Sequence, residues 1–185
     1  MAKKNMIKYD FTRMMSDSVG AANGVTQAEL KAFGKRAAAA AKEVAKQRQA
    51  GKLPYMDLPY QAKTVKEIHA YVAKCTGKYD DLVVLGIGGS ALGMISLQSA
   101  LNPSYYNLMS AKQRGGRPRL FVEDNVEPDR IADMLEVINP KKTLFNVVTK
   151  SGGTAETMSA FMIARDLIAK KVGASKLGEH IVATT

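Results

Sequence analysis

At 185 residues with 46% hydrophobic content, the chain is long enough for one well-buried domain plus an extension, and too short for two large domains. Its single cysteine, Cys75, leaves no internal disulfide, and no Cys/His spacing resembles a zinc site, so no metal is expected and the setting reads as reducing and cytoplasmic. A formal charge of +10 raises the nucleic-acid question. The positive residues are scattered, however: Lys42, Lys46 and Arg48 on one helix, Arg114 and Arg117 in a turn, Lys141 and Lys142 before a strand. That favours a solvated surface over nucleic acid. The basic opening, Met1–Asn5, is followed by no apolar run, and no other stretch approaches bilayer-spanning length, so the chain reads as soluble with no membrane partner.

Taken in chain order, residues 1–25 show no sustained period and read as an irregular leader. Thr26 followed by Glu29 fits a capping box, in which hydroxyl and carboxylate satisfy unpaired amides, and predicts a helix running to about Gln49 before Gly51 and Pro54 stop it. A second such pair, Thr64 with Glu67, predicts a helix whose Val65, Ile68, Val72 and Cys75 share a buried face, which makes Cys75 a packing residue rather than a nucleophile. From residue 81 the pattern changes. Short apolar runs at Leu82–Leu85, Leu120–Val122, Leu144–Val148 and Ile181–Ala183 alternate with helical segments, which predicts parallel strands joined by crossover helices. The helix after Pro128 has Ile131, Met134, Leu135 and Ile138 at buried-face spacing; Met158, Phe161, Met162 and Ile168 mark another, its methionines assigned to the core. The expected fold is therefore α/β, a doubly wound parallel sheet with helices on both faces. A helical leader (1–78) precedes the sheet domain (79–185). Since the last residues read as a strand with nothing after it, the chain is expected to end before the fold is complete.

Two segments carry chemistry. In the first, residues 83–93 (VVLGIGGSALG), an apolar strand runs into Gly86, Gly88, Gly89 and Ser90 before a helix, an arrangement that brings backbone amides and a helix start to an anion. The spacing Gly86-x-Gly88-x-x-Ala91 also satisfies a dinucleotide fingerprint, but Glu123 and Asp124 lie well beyond the roughly 20-residue distance expected of a ribose-binding acid. A tight strand-to-helix turn is the plain alternative. The second segment, residues 147–157 (VVTKSGGTAET), again sits where a strand gives way to a helix. Thr149, Ser151, Thr154 and Thr157 supply hydroxyls, Gly152 and Gly153 permit a tight turn, and Lys150 adds charge, a set suited to a phosphomonoester. Its alternative is an ordinary cap by Thr154 with Thr157 facing solvent. Both loops fall at the carboxyl ends of strands, where open α/β sheets bind ligands, so they imply one pocket.

The stretches GIGGSALG (86–93), DNVEPDRI (124–131) and TKSGGTAET (149–157), with YMDLP (55–59) ahead of them, resemble in order and spacing the glucose-6-phosphate isomerase family, over about Met6 to Thr185. The resemblance implies the first of that family's two sugar-isomerase domains. It also implies interconversion of glucose 6-phosphate and fructose 6-phosphate through an enediol with no cofactor, and a homodimer of the full-length protein. By the same resemblance Thr149, Lys150, Ser151 and Thr154 bind the sugar phosphate, with Thr157 added to the set, while Gly89 and Ser90 line the sugar end. The sequence departs from the family's commoner serine-lysine-threonine start by carrying Thr149 and Ser151. The family's base, its ring-opening histidine and lysine, and its arginine match positions beyond Thr185, so no catalytic residue is assigned here and the chain alone is expected to be inactive. Glu156 reads equally as an orienting group or as a helix-start charge. His69 and His180 read as structural. The readings set against an isomerase are a non-catalytic sugar-phosphate sensor and a dinucleotide-dependent oxidoreductase.

Overall fold

The computed structural model of the chain describes residues 8–185, so the basic opening Met1–Asn5 lies outside the described residues. The chain forms two compact units, one ending at Lys66 and the other spanning Glu67–Thr185. In the first, the stretch read as an irregular leader contains a 3-10 turn, Thr12–Met14, and a one-turn helix α1 (Ser16–Val19), tied by a bridge between Met15 and Val25. Helix α2 (Gln27–Gln49) starts at the expected capping box: the Glu29 amide donates to Thr26 Oγ1 at 3.1 Å, and the Thr26 amide donates to Glu29 Oε2 at 2.9 Å. Arg48 at its end reaches Asp57 at 2.7 Å in the 3-10 segment Pro54–Tyr60.

The second expected capping box does not form. Helix α3 (Ala62–Cys75) begins ahead of Thr64, the Val65 amide already donates to Gln61 O, and the Thr64 hydroxyl donates to Gln61 Oε1. A helix that starts at Ala62 places Thr64 inside its first turn, where its hydroxyl looks back to Gln61 instead of forward. Nor is the stripe Val65, Ile68, Val72 a core face: all three are exposed, and Cys75 is half-buried, lining an apolar cavity of about 450 Å³ with Tyr71, Leu82, Met94 and Leu144.

The sheet follows the sequence reading closely. Strands β1 (Asp81–Leu85), β2 (Arg119–Glu123), β3 (Thr143–Val148) and β4 (Ile181–Thr184) pair in parallel in the order β2-β1-β3-β4. The central β1 and β3 are buried on both sides and so consist of near-continuous apolar residues. Side chains alternate between faces. Val83, Leu85, Phe145 and Val147 meet Ile131, Met134 and Ile138 on or just after helix α5 (Pro128–Val137), and Ala160, Ala164 and Ile168 of helix α6 (Ala155–Val172). Leu82, Leu120 and Leu144 face the other way, toward α3 and helix α4 (Gly89–Leu101). The sheet is therefore helix-covered on both faces, as expected. The methionine reading of α6 needs correction: Met162 is exposed, and the small Ala160 and Ala164 bring the helix close to the sheet.

The amino-terminal ends of the strands are held by buried polar groups. Asp81, fully buried, accepts from Arg119 Nε at 2.6 Å. The Thr143 hydroxyl donates to Asn139 O at 2.8 Å, and His180 Nδ1 lies 2.9 Å from Thr143 O. His180, in the short helix α7 (Leu177–His180) ahead of β4, thus holds a strand start, while His69 is an exposed residue of α3.

Candidate functional site

The strand order creates a place for a ligand. Leaving β1, the chain goes first to β2 on one side and later to β3 on the other, so the connections diverge between β1 and β3. In open parallel sheets such a switch point opens a crevice at the carboxyl ends of the strands. The two strands run in register, Leu85 beside Val147, and each glycine loop leaves one of them at this edge. Both loops are legible in the sequence. Only the strand order makes them neighbours.

The first loop is Gly86–Gly88. Gly86 is buried, and a Cβ there would stand 3.1 Å from Val148 O and 3.0 Å from Ser90 Cβ, so glycine lets β1 turn close to the end of β3 without either neighbour having to give. Gly88, at φ +55°, turns the chain into α4, whose first residues are the exposed Gly89 and the half-buried Ser90. Among the described residues the amides of Gly88 and Gly89 have no acceptor, while the Ser90 amide donates to Ile87 O at 3.1 Å. Ala91 is fully buried and sets α4 against the sheet.

The second loop, Thr149–Thr154, is built on hydroxyls. The Thr149 amide continues the β3–β4 ladder by donating to Thr184 O at 3.0 Å, which fixes the loop's root. The Gly152 amide donates to Thr149 Oγ1 at 3.1 Å and the Gly153 amide to Ser151 Oγ at 3.3 Å, with Gly152 at φ +71°. Each of these hydroxyls accepts from the loop and keeps its own hydrogen to donate outward. Lys150 and Ser151 are exposed, and Lys150 pairs with no carboxylate among the described residues.

Thr154 is the N-cap residue of α6, yet its side chain caps nothing. The first helix amide to find an acceptor is that of Met158, which donates to Thr154 O at 3.0 Å. Among the described residues the amides of Ala155, Glu156 and Thr157 have none, so the helix start offers unpaired N–H groups and the positive end of its dipole. An anion satisfies such an end. The alternative of an ordinary threonine cap therefore does not describe this loop. Thr157 does not face solvent either: it is 3% exposed, turned against the sheet on the same side as Ala160 and Ala164, away from the exposed rim of the loop. Its neighbour Glu156 is half-buried in the first turn with no partner among the described residues.

A third group stands at the same edge, outside the first loop. Glu123 ends β2 beside Leu85 and is 5% exposed. Burial, its largest influence, holds its carboxyl above the usual range, opposed by the charge of Arg130 and assisted by that of Asp124. Arg130 Nε lies 3.1 Å from Glu123 Oε2, at ion-pair distance but without the alignment of a hydrogen bond. Asp124 is also taken by Arg130, at 3.1 Å. Neither acid is free to receive a ribose hydroxyl, which removes a requirement of the dinucleotide reading. Among the described residues no group of three His, Cys, Asp or Glu side chains converges on a metal position, and no helix is long and apolar enough to cross a membrane.

The chain is similar to proteins of one family. Residues 62–185 match the family model for phosphoglucose isomerase. The chain is 41% identical over 160 residues to a glucose-6-phosphate isomerase of Carboxydothermus hydrogenoformans, covering 86% of this chain and 34% of that protein. With the isomerase of Rubrobacter xylanophilus it shares 46% identity over 105 residues, 57% of this chain and 24% of the relative. Among solved structures, a Thermus thermophilus protein described as hypothetical superposes with a TM-score of 0.69 at 32% identity, covering 84% of this chain and 35% of the other. A glucose-6-phosphate isomerase of Chlamydia trachomatis does so at 0.50 and 31%, over 62% and 20%. The chain thus spans about a third or less of the length of these relatives.

Proposed function

We propose, on the premise that this chain belongs to the phosphoglucose isomerase family, that it supplies the sugar-phosphate-binding half of an enzyme interconverting glucose 6-phosphate and fructose 6-phosphate. In this assignment Thr149, Ser151 and Thr154 donate hydroxyls to the phosphoryl oxygens, Lys150 adds charge, and the open amides at the start of α6 complete the shell. Gly89 and Ser90 line the sugar end through the neighbouring loop. Thr157, buried beneath the loop, holds the first turn of α6 against the sheet and serves the site from behind. The leader is assigned to residues 1–78 and the sugar-isomerase domain to 79–185. No nucleotide or nucleic acid enters this reading. The homodimer and the cytoplasmic setting belong to the longer protein and are part of the same proposal.

The observation that carries the assignment is the uncapped start of α6 beside three hydroxyl-bearing residues at the β1/β3 switch point. The test is calorimetric titration of fructose 6-phosphate into the 185-residue chain. The double variant Ser151→Ala, Thr154→Ala should lose about 1–3 kcal/mol of binding free energy with its charged hydrogen bonds. Equal affinity in parent and variant would remove this loop from the site. Tighter binding of a nicotinamide dinucleotide than of the sugar phosphate would favour the oxidoreductase reading instead.

A further inference from the structure

The segment DNVEPDRI is given no role by the phosphate loops, yet it lies at their edge of the sheet. β2 is an edge strand, and its last carbonyls point in opposite directions. That of Glu123 points inward and accepts from the Gly86 amide at 3.2 Å, the amide that opens the first glycine loop. That of Val122 points outward and accepts from Arg130 Nη2 at 2.6 Å. The same guanidinium donates from Nη1 to Asp124 Oδ1 at 3.1 Å and sets Nε 3.1 Å from Glu123 Oε2. Arg130 belongs to the first turn of α5, anchored by the Ile131 amide donating to Glu127 O at 3.1 Å, so it reaches back along its own connection to grip three successive residues of the strand end. A planar guanidinium spreads its five donors over three nitrogens in a fixed fork that matches oxygens on successive residues, whereas an ammonium offers its three from a single point.

We propose that Arg130 is a positioning residue for the phosphate site. By fixing the end of β2 from its free side it holds the Glu123 carbonyl against the Gly86 amide, and so sets the first glycine loop beside the second. This role rests on the functional reading above. Gly86 sits close to both neighbours: its amide is bonded to the end of β2, and Val148 O at the end of β3 stands 3.1 Å from where a Cβ would be. A strand end that slips on the β2 side therefore moves the loop relative to β3 and the hydroxyl-bearing residues that follow it.

Amide hydrogen exchange, read together with fructose 6-phosphate titration, tests this in the full chain. In Arg130→Ala the Gly86 amide should exchange about tenfold faster or more relative to that of Val83 in the same strand, as expected when a charge-assisted anchor is lost. Fructose 6-phosphate affinity should fall about three- to thirtyfold. Arg130→Lys, which keeps the charge but not the fork, should fall between parent and alanine variant. Arg119→Ala is the control: it breaks the pair with Asp81 at the opposite end of β2, lowers stability, and should move Gly86 and Val83 together while leaving affinity unchanged. Gly86 moving in step with Val83 in Arg130→Ala, or unaltered affinity in that variant, would overturn the inference. Failure of the parent chain to bind the sugar phosphate would overturn the functional reading, and the inference with it.

Discussion

Thr26 and Thr154 occupy the same position relative to a helix start and use it differently. Thr26 accepts the Glu29 amide and receives the carboxylate in return, whereas Thr154 caps nothing and leaves its helix amides open. Thr26→Ala should therefore cost about 1 kcal/mol of stability, the usual worth of a cap. Thr154→Ala should cost only a few tenths, since no cap is lost, while weakening sugar-phosphate binding. Urea denaturation of the two variants, set beside titration, separates the roles; a larger stability loss at Thr154 than at Thr26 would contradict the open-helix account. Glu123 has its own signature. Its carboxyl is buried at the end of β2 and is raised above its ordinary value of 4.5, mainly by desolvation. The folded chain then holds a proton that the unfolded chain has already released. The stability this group contributes is full below about pH 4.5 and is lost as pH rises through the folded value. Glu123→Gln should remove that slope, so the difference in urea midpoint between variant and parent should widen in the variant's favour as pH rises from about 4 to 7. A constant difference would mean that Arg130 compensates the buried charge fully.

At the scale of elements, what the sequence discloses depends on the range over which each feature is determined. The α2 start is legible because a capping box is a four-residue affair, and the α5 core face is legible because Ile131, Met134 and Ile138 are all buried at the predicted spacing. Thr64 and Glu67 carry the same local pattern and mislead, because Gln61 offers a competing start ahead of them and wins it. The α6 core departs from expectation for a different reason. Periodicity weighs large apolar residues and so favours Met162, while close approach to a sheet selects small ones, Ala160 and Ala164. For the site, residue types at the strand ends are enough to find both phosphate-suited loops. Whether Thr154 caps, which way Thr157 points, and that a carbonyl of another strand crowds Gly86 depend on tertiary geometry no local pattern contains. Arg130 is illegible for the same reason: its three partner residues, two bonded and one ion-paired, are 6–8 residues away in sequence, and nothing in its spacing distinguishes it from a surface arginine.

At the scale of the whole molecule, binding a sugar phosphate and isomerising it are separable demands. Moving a proton between C1 and C2 needs a base and an acid within hydrogen-bond reach of the sugar, in addition to a site that holds the phosphate. Among the described residues no groups are so arranged. His180 is buried at the amino-terminal end of the sheet, and the length of β3 puts about 16 Å between that end and the two glycine loops. His69 is on α3, Glu123 is turned into the α5/α6 core and gripped by Arg130, and Glu156 stands alone in the first turn of α6. One unpartnered carboxylate can hold or orient a group, but it does not form an acid–base pair. The 185-residue chain should accordingly bind fructose 6-phosphate while showing no turnover to glucose 6-phosphate in a dehydrogenase-coupled assay. Turnover that survives purification and is lost in Ser151→Ala would mean that Glu156, the one free carboxylate at the site among the described residues, supplies the proton transfer; Glu156→Gln would then abolish it. Binding without turnover would mean that these 185 residues hold the sugar phosphate and do not supply the proton transfer.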